Sequence, residues 1–410
     1  MKDLSIYLHI PFCVRKCKYC DFLSYAAEES EREGYVELLT MEIEKQSLFY
    51  KDFQVVSIFV GGGTPSILEG RSIERLLNTV KSRFNIAKNP EITVEVNPDT
   101  VTGDKLTAYL NAGVNRLSIG LQSADDEELK TLGRIHDYRT FLNAYELARK
   151  LGFKNINVDL ISAISGQSCE SYRKTLEKII ALEPEHISAY SLIVEEGTWF
   201  YEHRGELAFP TEEEDRQMYE LTAKMLSDNG YHRYEISNYA KEGFECIHNK
   251  RYWTRGSYAG FGLGAASLVD EVRWSNKRVM KDYAAAVMSQ DTSSRDLYDA
   301  VMGPTGDLGD AYTSHAGDTN LNEARTRFGE DIQYLTQTEQ MEEFMFLGLR
   351  LTAGVDRAEF KKKFGVPIED IYGKTLEKMQ KDKLLTVDGH IRLTPYGTDI
   401  SNYVMSEFIL

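Results

Sequence analysis

The sequence predicts an α/β protein in which a partial (β/α)6, TIM-like barrel precedes a helical, winged-helix-like C-terminal domain. Over the first 240 residues, short β-branched runs alternate with segments whose apolar residues recur every three or four positions. This alternation is typical of strand–helix units around a parallel sheet. Glycine-rich or polar motifs directly follow several of these runs. From Thr336 onward helical periodicity returns, and only one further hairpin is predicted.

Composition and charge exclude several classes of protein. The 410 residues include 48 basic and 64 acidic side chains, a net charge of −16. Proteins that grip nucleic acid usually present a basic surface, so no nucleic-acid partner is expected. No apolar stretch reaches the roughly 18 residues of a membrane span, and the N-terminus has no signal-peptide pattern. We therefore expect a cytoplasmic protein that is not an integral membrane protein.

Six β-branched runs are predicted to form the barrel strands. They are 5–10, 55–60, 92–96, 116–120, 155–160 and 186–191. The segment after the first run has apolar residues at helical spacing, namely Tyr35, Leu38, Leu39 and Ile43. Six units are too few to close an eight-stranded barrel. Because ligands of parallel barrels collect at the carboxyl ends of the strands, the motifs that follow these runs are the candidate site.

Three of the five cysteines, Cys13, Cys17 and Cys20, follow the first predicted strand in a C-x3-C-x2-C spacing. Sparse, clustered cysteines indicate metal or redox chemistry rather than a disulfide framework. The basic residues between them would oppose the charge of thiolates. Three thiolates on a four-iron cluster leave one iron open to a small chelating molecule. The alternatives are three buried thiols, or a zinc site with His9 as fourth ligand.

The residues at or just after the ends of several other predicted strands are glycine or polar. Gly61 to Thr64 follow the second strand, where glycines let a ligand approach the backbone, although such a run is also an ordinary turn. Polar side chains lie at or just after further strand ends: Glu95, Gln122, Arg134 and Asp159. Each alone is an ordinary polar cap. Together they predict a ring of polar groups at one face of the sheet.

The cysteine spacing, with Tyr19 before the last cysteine, resembles the radical S-adenosylmethionine (SAM) superfamily, in which the open iron of a [4Fe-4S] cluster binds SAM. The motifs YLHIPFC, GGGTPS, EVNPD, RLSIGLQS, LGRIH, HNKRYW and GFGLGA occur in order. They resemble the family of oxygen-independent coproporphyrinogen III dehydrogenase and the HemW-type haem chaperone, over 3–280 and 335–405. The resemblance implies that Cys13, Cys17 and Cys20 bind the cluster. It also implies a set of SAM-binding residues: Tyr7, Tyr19, Gly62, Gly63, Thr64, Glu95, Gln122, Arg134 and Asp159.

Three features favour the chaperone branch of that family. Phe22 occupies the position at which the dehydrogenase pattern has a fourth cysteine. Only twelve residues precede Cys13, whereas the dehydrogenase has a long extension there. Residues 248–253, HNKRYW, match a motif typical of the chaperone branch. We therefore expect a protein that binds haem or a porphyrin and passes haem to client haemoproteins.

The resemblance implies that His248 is an axial haem ligand, with Cys246 as a second candidate and Tyr252 and Trp253 stacking on the macrocycle. Residue type alone favours a hydrogen-bonded structural histidine. The alternative function is oxidative decarboxylation of coproporphyrinogen III propionates to vinyl groups, and a weaker one is radical chemistry on another substrate. Whether the protein is an enzyme is open, and dehydrogenase activity is not favoured.

The chain is predicted to divide into a core, 1–280, an insertion or linker, 281–334, and a helical C-terminal domain, 335–410. The linker is rich in Gly, Asp, Thr and Ser, with a short helix expected at 296–302 and His315 in a solvated loop. Two motifs depart from the family pattern. Ala163 begins a stretch that is usually Gly-Leu-Pro-Gly-Gln, and Ala266 replaces a histidine. The run Lys361 to Lys363 is interpreted as a solvated helix face.

Overall fold

All six predicted strands form in the computed structural model, which describes residues 1–288 and 321–410. Each lies beside the next in chain order, and every neighbouring pair is parallel. The strands are β1 (Lys2–Ile10), β2 (Phe53–Gly62), β3 (Ile86–Val96), β4 (Arg116–Gln122), β5 (Ile156–Ser162) and β6 (His186–Ser191). The predicted parallel βα core is confirmed.

Helices cross between successive strands and cover the sheet. They are α1 (Glu29–Gln46), α2 (Gly70–Arg83), α3 (Gly103–Asn111), α4 (Asp126–Leu132), α5 (Tyr138–Leu151) and α6 (Cys169–Ile180). The apolar stripe predicted on α1 is buried: Tyr35, Leu38, Leu39 and Ile43 are fully inaccessible. Burying one face of each helix against the sheet is what stabilises helices of this length in water.

Six shorter strands extend the sheet at both edges. They are β7 (His232–Arg233), β8 (Asn238–Ala240), β9 (Tyr258–Phe261), β10 (Ala266–Val269), β11 (Val272–Asn276) and β12 (Gly329–Tyr334). The strand order is β12-β11-β10-β9-β1-β2-β3-β4-β5-β6-β8-β7. Only β9 continues the parallel pairing, beside β1. The edge strands β12 and β7 do not pair with each other in the described residues, so the structure is a partial barrel rather than a closed one.

Helices of the second half join this sheet. They are α7 (Trp199–Glu202), α8 (Glu212–Asp228), α9 (Ile247–Trp253), α10 (Met280–Met288) and α11 (Leu321–Phe328). Both ends of the segment 281–334 are regular structure: α10 packs on α1, and β12 pairs with β11. The predicted helix at 296–302 and His315 lie outside the described residues. The three-part division of the chain stays a prediction.

The C-terminal part has a winged-helix-like order of three helices and a hairpin, as expected. Its elements are α12 (Gln337–Gly348), β13 (Val355–Asp356), α13 (Arg357–Phe364), α14 (Ile368–Lys381), β14 (Leu385–Val387), β15 (His390–Leu393), α15 (Pro395–Asp399) and α16 (Ser401–Ser406). It has a hydrophobic core of its own. Lys361 to Lys363 are exposed, and Lys363 pairs with Glu271 of the core at 3.2 Å. Within the described ranges, no helix is long and apolar enough to cross a membrane.

Candidate functional site at the barrel mouth

The carboxyl ends of β1 to β4 bring the predicted motifs together at one end of the barrel, which we call the barrel mouth. The cysteine-containing loop after β1, residues 11–25, is held from two sides. The Lys18 N–H donates to the Leu132 carbonyl at 3.0 Å, at the end of α4. On the other side, the Thr64 N–H donates to the Phe12 carbonyl at 2.7 Å. The loop therefore has a fixed position between the glycine motif and α4.

The three thiols of this loop are partly exposed, and none forms a disulfide. Thr64 Oγ1 donates to Cys13 Sγ at 3.5 Å, and Arg134 Nη1 donates to Cys17 Sγ at 3.5 Å. Burial raises the pKa of Cys20 to about 11, so this thiol stays protonated at neutral pH unless a metal displaces the proton. A hydroxyl and a guanidinium aimed at sulfur suit thiolates that carry negative charge.

The donor set fits an iron–sulfur cluster better than a zinc ion. In the described part of the chain, no three His, Cys, Asp or Glu side chains converge as a single metal ion requires. A four-iron cluster takes its thiolates on separate irons, so the sulfurs need not meet at one point. His9 has no free ring nitrogen, because Nδ1 bonds Tyr7 Oη at 3.0 Å and Nε2 bonds the Leu23 carbonyl at 2.9 Å. The zinc alternative therefore lacks its fourth ligand.

At the end of β2, the space around Gly62 and Gly63 leaves no room for a side chain. A Cβ on Gly63 would lie 2.6 Å from the Phe12 carbonyl oxygen and 3.0 Å from Cys13 Sγ. Gly62 has a φ of +118°, and a Cβ there would lie 2.6 Å from the His9 ring. Only glycine allows this close approach and this backbone conformation. The glycine motif is thus matched to the cysteine loop and is more than an ordinary turn.

Arg134 links the polar groups at the strand ends. Its Nη2 donates to Asn97 Oδ1 at 2.7 Å and to the Gly120 carbonyl at 2.8 Å. Asn97 Nδ2 in turn donates to Thr64 Oγ1 at 2.9 Å. Asn97 was not among the predicted residues, although it lies within the EVNPD motif. Gln122 sits at a β-bulge with a φ of +77°, which turns this residue out of the regular strand alternation.

Glu95 and Asp159 are two carboxyl groups on the same side of the sheet. Asp159 accepts hydrogen bonds from Ser118 Oγ at 3.1 Å and Asn157 Nδ2 at 2.8 Å. Glu95 accepts one from the Gly62 N–H at 3.1 Å. Burial, and then the negative charge of Asp159, raise the pKa of Glu95 to about 8. Burial also raises the pKa of Asp159, against the effect of its hydrogen-bond donors.

As the pH rises, we expect the free energy of unfolding to fall less in Glu95→Gln than in the wild type. The ordinary pKa of a glutamate is 4.5, and that of Glu95 is about 8 in the folded protein. Between these values the native state retains a proton that the unfolded state has released, so the free energy of unfolding falls as pH rises. Urea unfolding of both proteins from pH 5 to 8.5 measures the difference. A profile unchanged by the substitution would contradict the prediction.

The HNKRYW motif lies on α9, and the His248 ring packs against the Tyr7 ring, with centroids 6.4 Å apart. His248 is 1 % exposed, its Nδ1 bonds Ser57 Oγ at 3.1 Å, and its Nε2 bonds Tyr252 Oη at 2.8 Å. Ser57 precedes the end of β2 by five residues, about 16 Å along the strand. Cys246 is fully buried, and its thiol lies 3.4 Å from Glu91 Oε1. The structure therefore does not bring either predicted haem ligand together with the cysteine loop.

The other end of α9 contacts the C-terminal domain. The Arg350 guanidinium lies 4.2 Å from the centre of the Trp253 ring. The Tyr252 ring packs edge-on against Tyr258. Tyr252 and Trp253 therefore pack against other side chains of the protein, and α9 connects β2 of the barrel to the C-terminal domain.

Both departures from the family pattern have local structural consequences. Ala163, directly after β5, has a φ of +59°, a left-handed conformation that glycine adopts more easily. Ala266 begins β10 and is exposed. Neither residue interrupts the hydrogen bonds described around the cysteine loop.

Comparison with known proteins identifies the family. Residues 7–179 match the model of the radical SAM superfamily, and residues 335–400 match that of the HemN C-terminal domain. The chain is 32% identical over 409 residues to the heme chaperone HemW of Bacillus subtilis (strain 168), covering 99% of each chain. It is 42% identical over 266 residues to heme chaperone HemW of Escherichia coli (strain K12), covering 65% of this chain and 70% of that protein.

A solved structure supports the fold. The radical SAM enzyme coproporphyrinogen III oxidase (HemN) from Escherichia coli matches with a TM-score of 0.80 at 21% identity, covering 100% of this chain and 90% of that one. At this identity the match concerns the fold alone, and it agrees with the partial barrel and the winged-helix-like domain. Proteins of the radical SAM superfamily contain a [4Fe-4S] cluster and bind SAM. The similarity to the Bacillus subtilis relative, at 32% identity over 99% of each chain, shows that this chain belongs to the HemW haem chaperone family of the radical SAM superfamily.

Proposed function

We propose that the protein is a haem chaperone, which binds haem and transfers it to client haemoproteins. The observation that carries this proposal is the similarity to relatives named heme chaperone HemW, which extends over 99% of both chains in the Bacillus subtilis case. Phe22, within the cysteine loop, stands where the dehydrogenase pattern has a cysteine, and this supports the same choice; its side chain is 64% exposed.

In this proposal Cys13, Cys17 and Cys20 bind the [4Fe-4S] cluster, and the fourth iron is open to SAM. When bound, the cluster supplies an electron that can cleave SAM. The side chains and backbone around the three cysteines are already arranged to accept a cluster. Arg134 and Thr64 donate to two of the sulfurs, and Gly63 leaves the space that Cys13 needs.

SAM would be bound by the polar groups at the strand ends. The Gly62 backbone and Glu95 are hydrogen-bonded to each other, and Arg134 and Thr64 are joined through Asn97. A ligand with an amino group, a carboxylate and ribose hydroxyls needs this mixture of acceptors and a cation. The proposed residues are Tyr7, Tyr19, Gly62, Gly63, Thr64, Glu95, Gln122, Arg134 and Asp159.

Haem ligation by His248 stays a prediction, and it would require a change in the structure around α9. Burial lowers the pKa of His248 to about 3, so the imidazole is neutral, but both of its nitrogens are hydrogen-bonded. To reach a haem iron, the side chain would have to leave Ser57 or Tyr252, and α9 would have to move. Cys246 is subject to the same requirement, since its thiol is fully buried.

An anaerobic haem titration of the cluster-loaded protein, followed by addition of apomyoglobin, tests the proposal. We expect saturable binding of one haem per chain and transfer of that haem to apomyoglobin. A lack of saturable binding, or bound haem that never reaches the acceptor, would contradict the chaperone function. Conversion of coproporphyrinogen III to vinyl products under reducing conditions with SAM would instead support oxidative decarboxylation.

A further inference from the structure

Asn97 lies directly after β3, at the barrel mouth, and its backbone is held in place. Its N–H donates to Ser66 Oγ at 3.0 Å, and its carbonyl accepts from the Thr100 N–H and from Thr100 Oγ1, both at 3.0 Å. The side chain therefore starts from a defined point. It reaches Thr64, after β2, and Arg134, after α4, with the two ends of one amide group.

The chemistry of the Arg134 guanidinium determines the orientation of the Asn97 amide. A guanidinium only donates hydrogen bonds, so the group that faces Arg134 Nη2 at 2.7 Å is the amide oxygen Oδ1. The amide nitrogen Nδ2 then donates to Thr64 Oγ1 at 2.9 Å. Because the Thr64 hydroxyl accepts from this nitrogen, its single proton is directed to Cys13 Sγ, which lies 3.5 Å away.

The amide oxygen of Asn97 orients a second donor. Arg134 Nη2 is shared between Asn97 Oδ1 at 2.7 Å and the Gly120 carbonyl at 2.8 Å. Two acceptors on one nitrogen fix the plane of the guanidinium, and in this plane Nη1 lies 3.5 Å from Cys17 Sγ. One amide group thus directs hydrogen bonds from two different residues onto two of the three sulfurs of the cysteine loop.

Hydrogen bonds to cysteine sulfur change the reduction potential of an iron–sulfur cluster. They stabilise the reduced form, which carries one more negative charge, and so they raise the potential. Solvent access acts in the same direction, since water that replaces a lost side chain also stabilises the added charge. Loss of the hydrogen bonds and entry of water therefore shift the potential in opposite directions, and the sign of the shift distinguishes them.

We propose that Asn97 is a positioning residue for the cluster: it orients the donors of Thr64 and Arg134 onto two cysteine sulfurs and so raises the reduction potential. The electron comes from an external low-potential one-electron reductant, and no covalent bond or proton is transferred with it. This inference rests on the part of the proposed function that assigns a [4Fe-4S] cluster to the cysteine loop. It does not depend on where haem binds.

The test is an anaerobic potentiometric titration of the full-length, cluster-loaded protein without SAM, with dithionite as reductant and the EPR signal of the reduced cluster as readout. We expect Asn97→Ala to lower the midpoint potential by at least about 59 mV, the one-electron equivalent of the tenfold effect of losing a partner of a metal ligand.

Asn115→Ala is the matched control for this titration. Asn115 also uses both ends of its amide, since Oδ1 accepts from the Ile92 N–H and Nδ2 donates to the Pro90 carbonyl, both at 2.8 Å. It directly precedes β4, however, and so lies at the opposite end of the barrel from the cysteine loop. The control should have the midpoint potential of the wild type.

A double-mutant cycle tests whether Asn97 acts through Thr64. Thr64→Val removes the hydroxyl and leaves the bond between Asn97 and Arg134, so we expect a smaller shift of the same sign. Adding Thr64→Val to Asn97→Ala should shift the potential no further, because both changes remove the same bond to sulfur. Additive shifts would overturn positioning through Thr64. If Asn97→Ala retains too little cluster to titrate, Thr64→Val decides, and an unchanged potential in that variant overturns the inference.

The outcomes separate this inference from the proposed function. If Asn97→Ala leaves the potential of the cluster unchanged, or raises it as water entry would, the inference is overturned while the cluster and the haem chaperone function stand. If the wild type takes up no cluster, the cluster assignment fails and this inference fails with it. Equal circular dichroism spectra exclude unfolding, and a midpoint potential does not depend on how much cluster each sample carries.

Discussion

Cys17→Ala is expected to lower the iron retained after anaerobic reconstitution by at least about tenfold. In the proposed function Cys17 would supply one of three thiolates, and its sulfur accepts a hydrogen bond from Arg134 at 3.5 Å. With two thiolates left, a cluster bound in this partly exposed loop would lack protein ligands on two irons and would be lost more easily to solvent. Iron and sulfide per chain, together with the visible absorption of the cluster, measure the loss.

Cys169→Ala is the matched control for this prediction. Cys169 is also a partly exposed free thiol, but it begins α6, and its sulfur contacts the Glu214 carbonyl at 3.8 Å. The control should retain the iron content of the wild type. Equal iron in wild type and Cys17→Ala would contradict a cluster on the cysteine loop. Equal loss in both variants would indicate that the iron is bound nonspecifically.

The residue positions at the barrel mouth can be predicted because they depend on short stretches of sequence, namely the strands and the residues next to them. Each β-branched run forms its strand, and Glu95, Gln122 and Asp159 lie on or at the end of these strands. Arg134, which the sequence also placed at or after a strand end, instead follows α4 and its capping Gly133. Asn97 could have been found by the same reasoning, since it directly follows β3 within a motif already noted. Its role depends on Arg134, which is distant in sequence and reaches it only once α4 has packed.

The burial of His248 cannot be predicted from the residues next to it in the sequence. HNKRYW has the same spacing on an exposed loop and on a buried helix, and only the contacts with Ser57 and Glu91 distinguish the two. The spacing of His248 and Tyr252 by four residues is compatible with an internal helical pair, and this is the bond that forms.

Glu42 is a charged residue on the apolar face of α1. It lies three residues after Leu39 and directly before Ile43, and it is fully inaccessible. Oε1 accepts from Gln46 Nε2 and Asn276 Nδ2, both at 2.6 Å. Oε2 accepts from Tyr283 Oη at 2.7 Å and from the Gly262 N–H at 2.8 Å. One carboxyl group thereby connects α1, α10, β11 and the turn after β9.

We expect Glu42→Ala to lower the free energy of unfolding by about 3–5 kcal/mol, since it leaves several buried donors without an acceptor. Urea unfolding followed by circular dichroism measures the change. Glu44→Ala is the control on the same helix. Glu44 forms an exposed ion pair with Arg83, and losing such a pair costs about 1 kcal/mol or less. Equal losses in the two variants would contradict a special role for Glu42.

The pH dependence of this effect distinguishes a buried carboxyl group from a simple packing defect. Burial raises the pKa of Glu42 from 4.5 to about 7, although its four hydrogen-bond donors act in the opposite direction. Between pH 4.5 and 7 the native state binds a proton that the unfolded state has released, so the contribution of Glu42 to stability decreases as pH rises. Alanine has no such proton. The stability difference between wild type and Glu42→Ala should therefore be larger at pH 5 than at pH 8, and a difference that stays constant or grows with pH would show that the carboxyl group is already ionised in the folded protein at low pH.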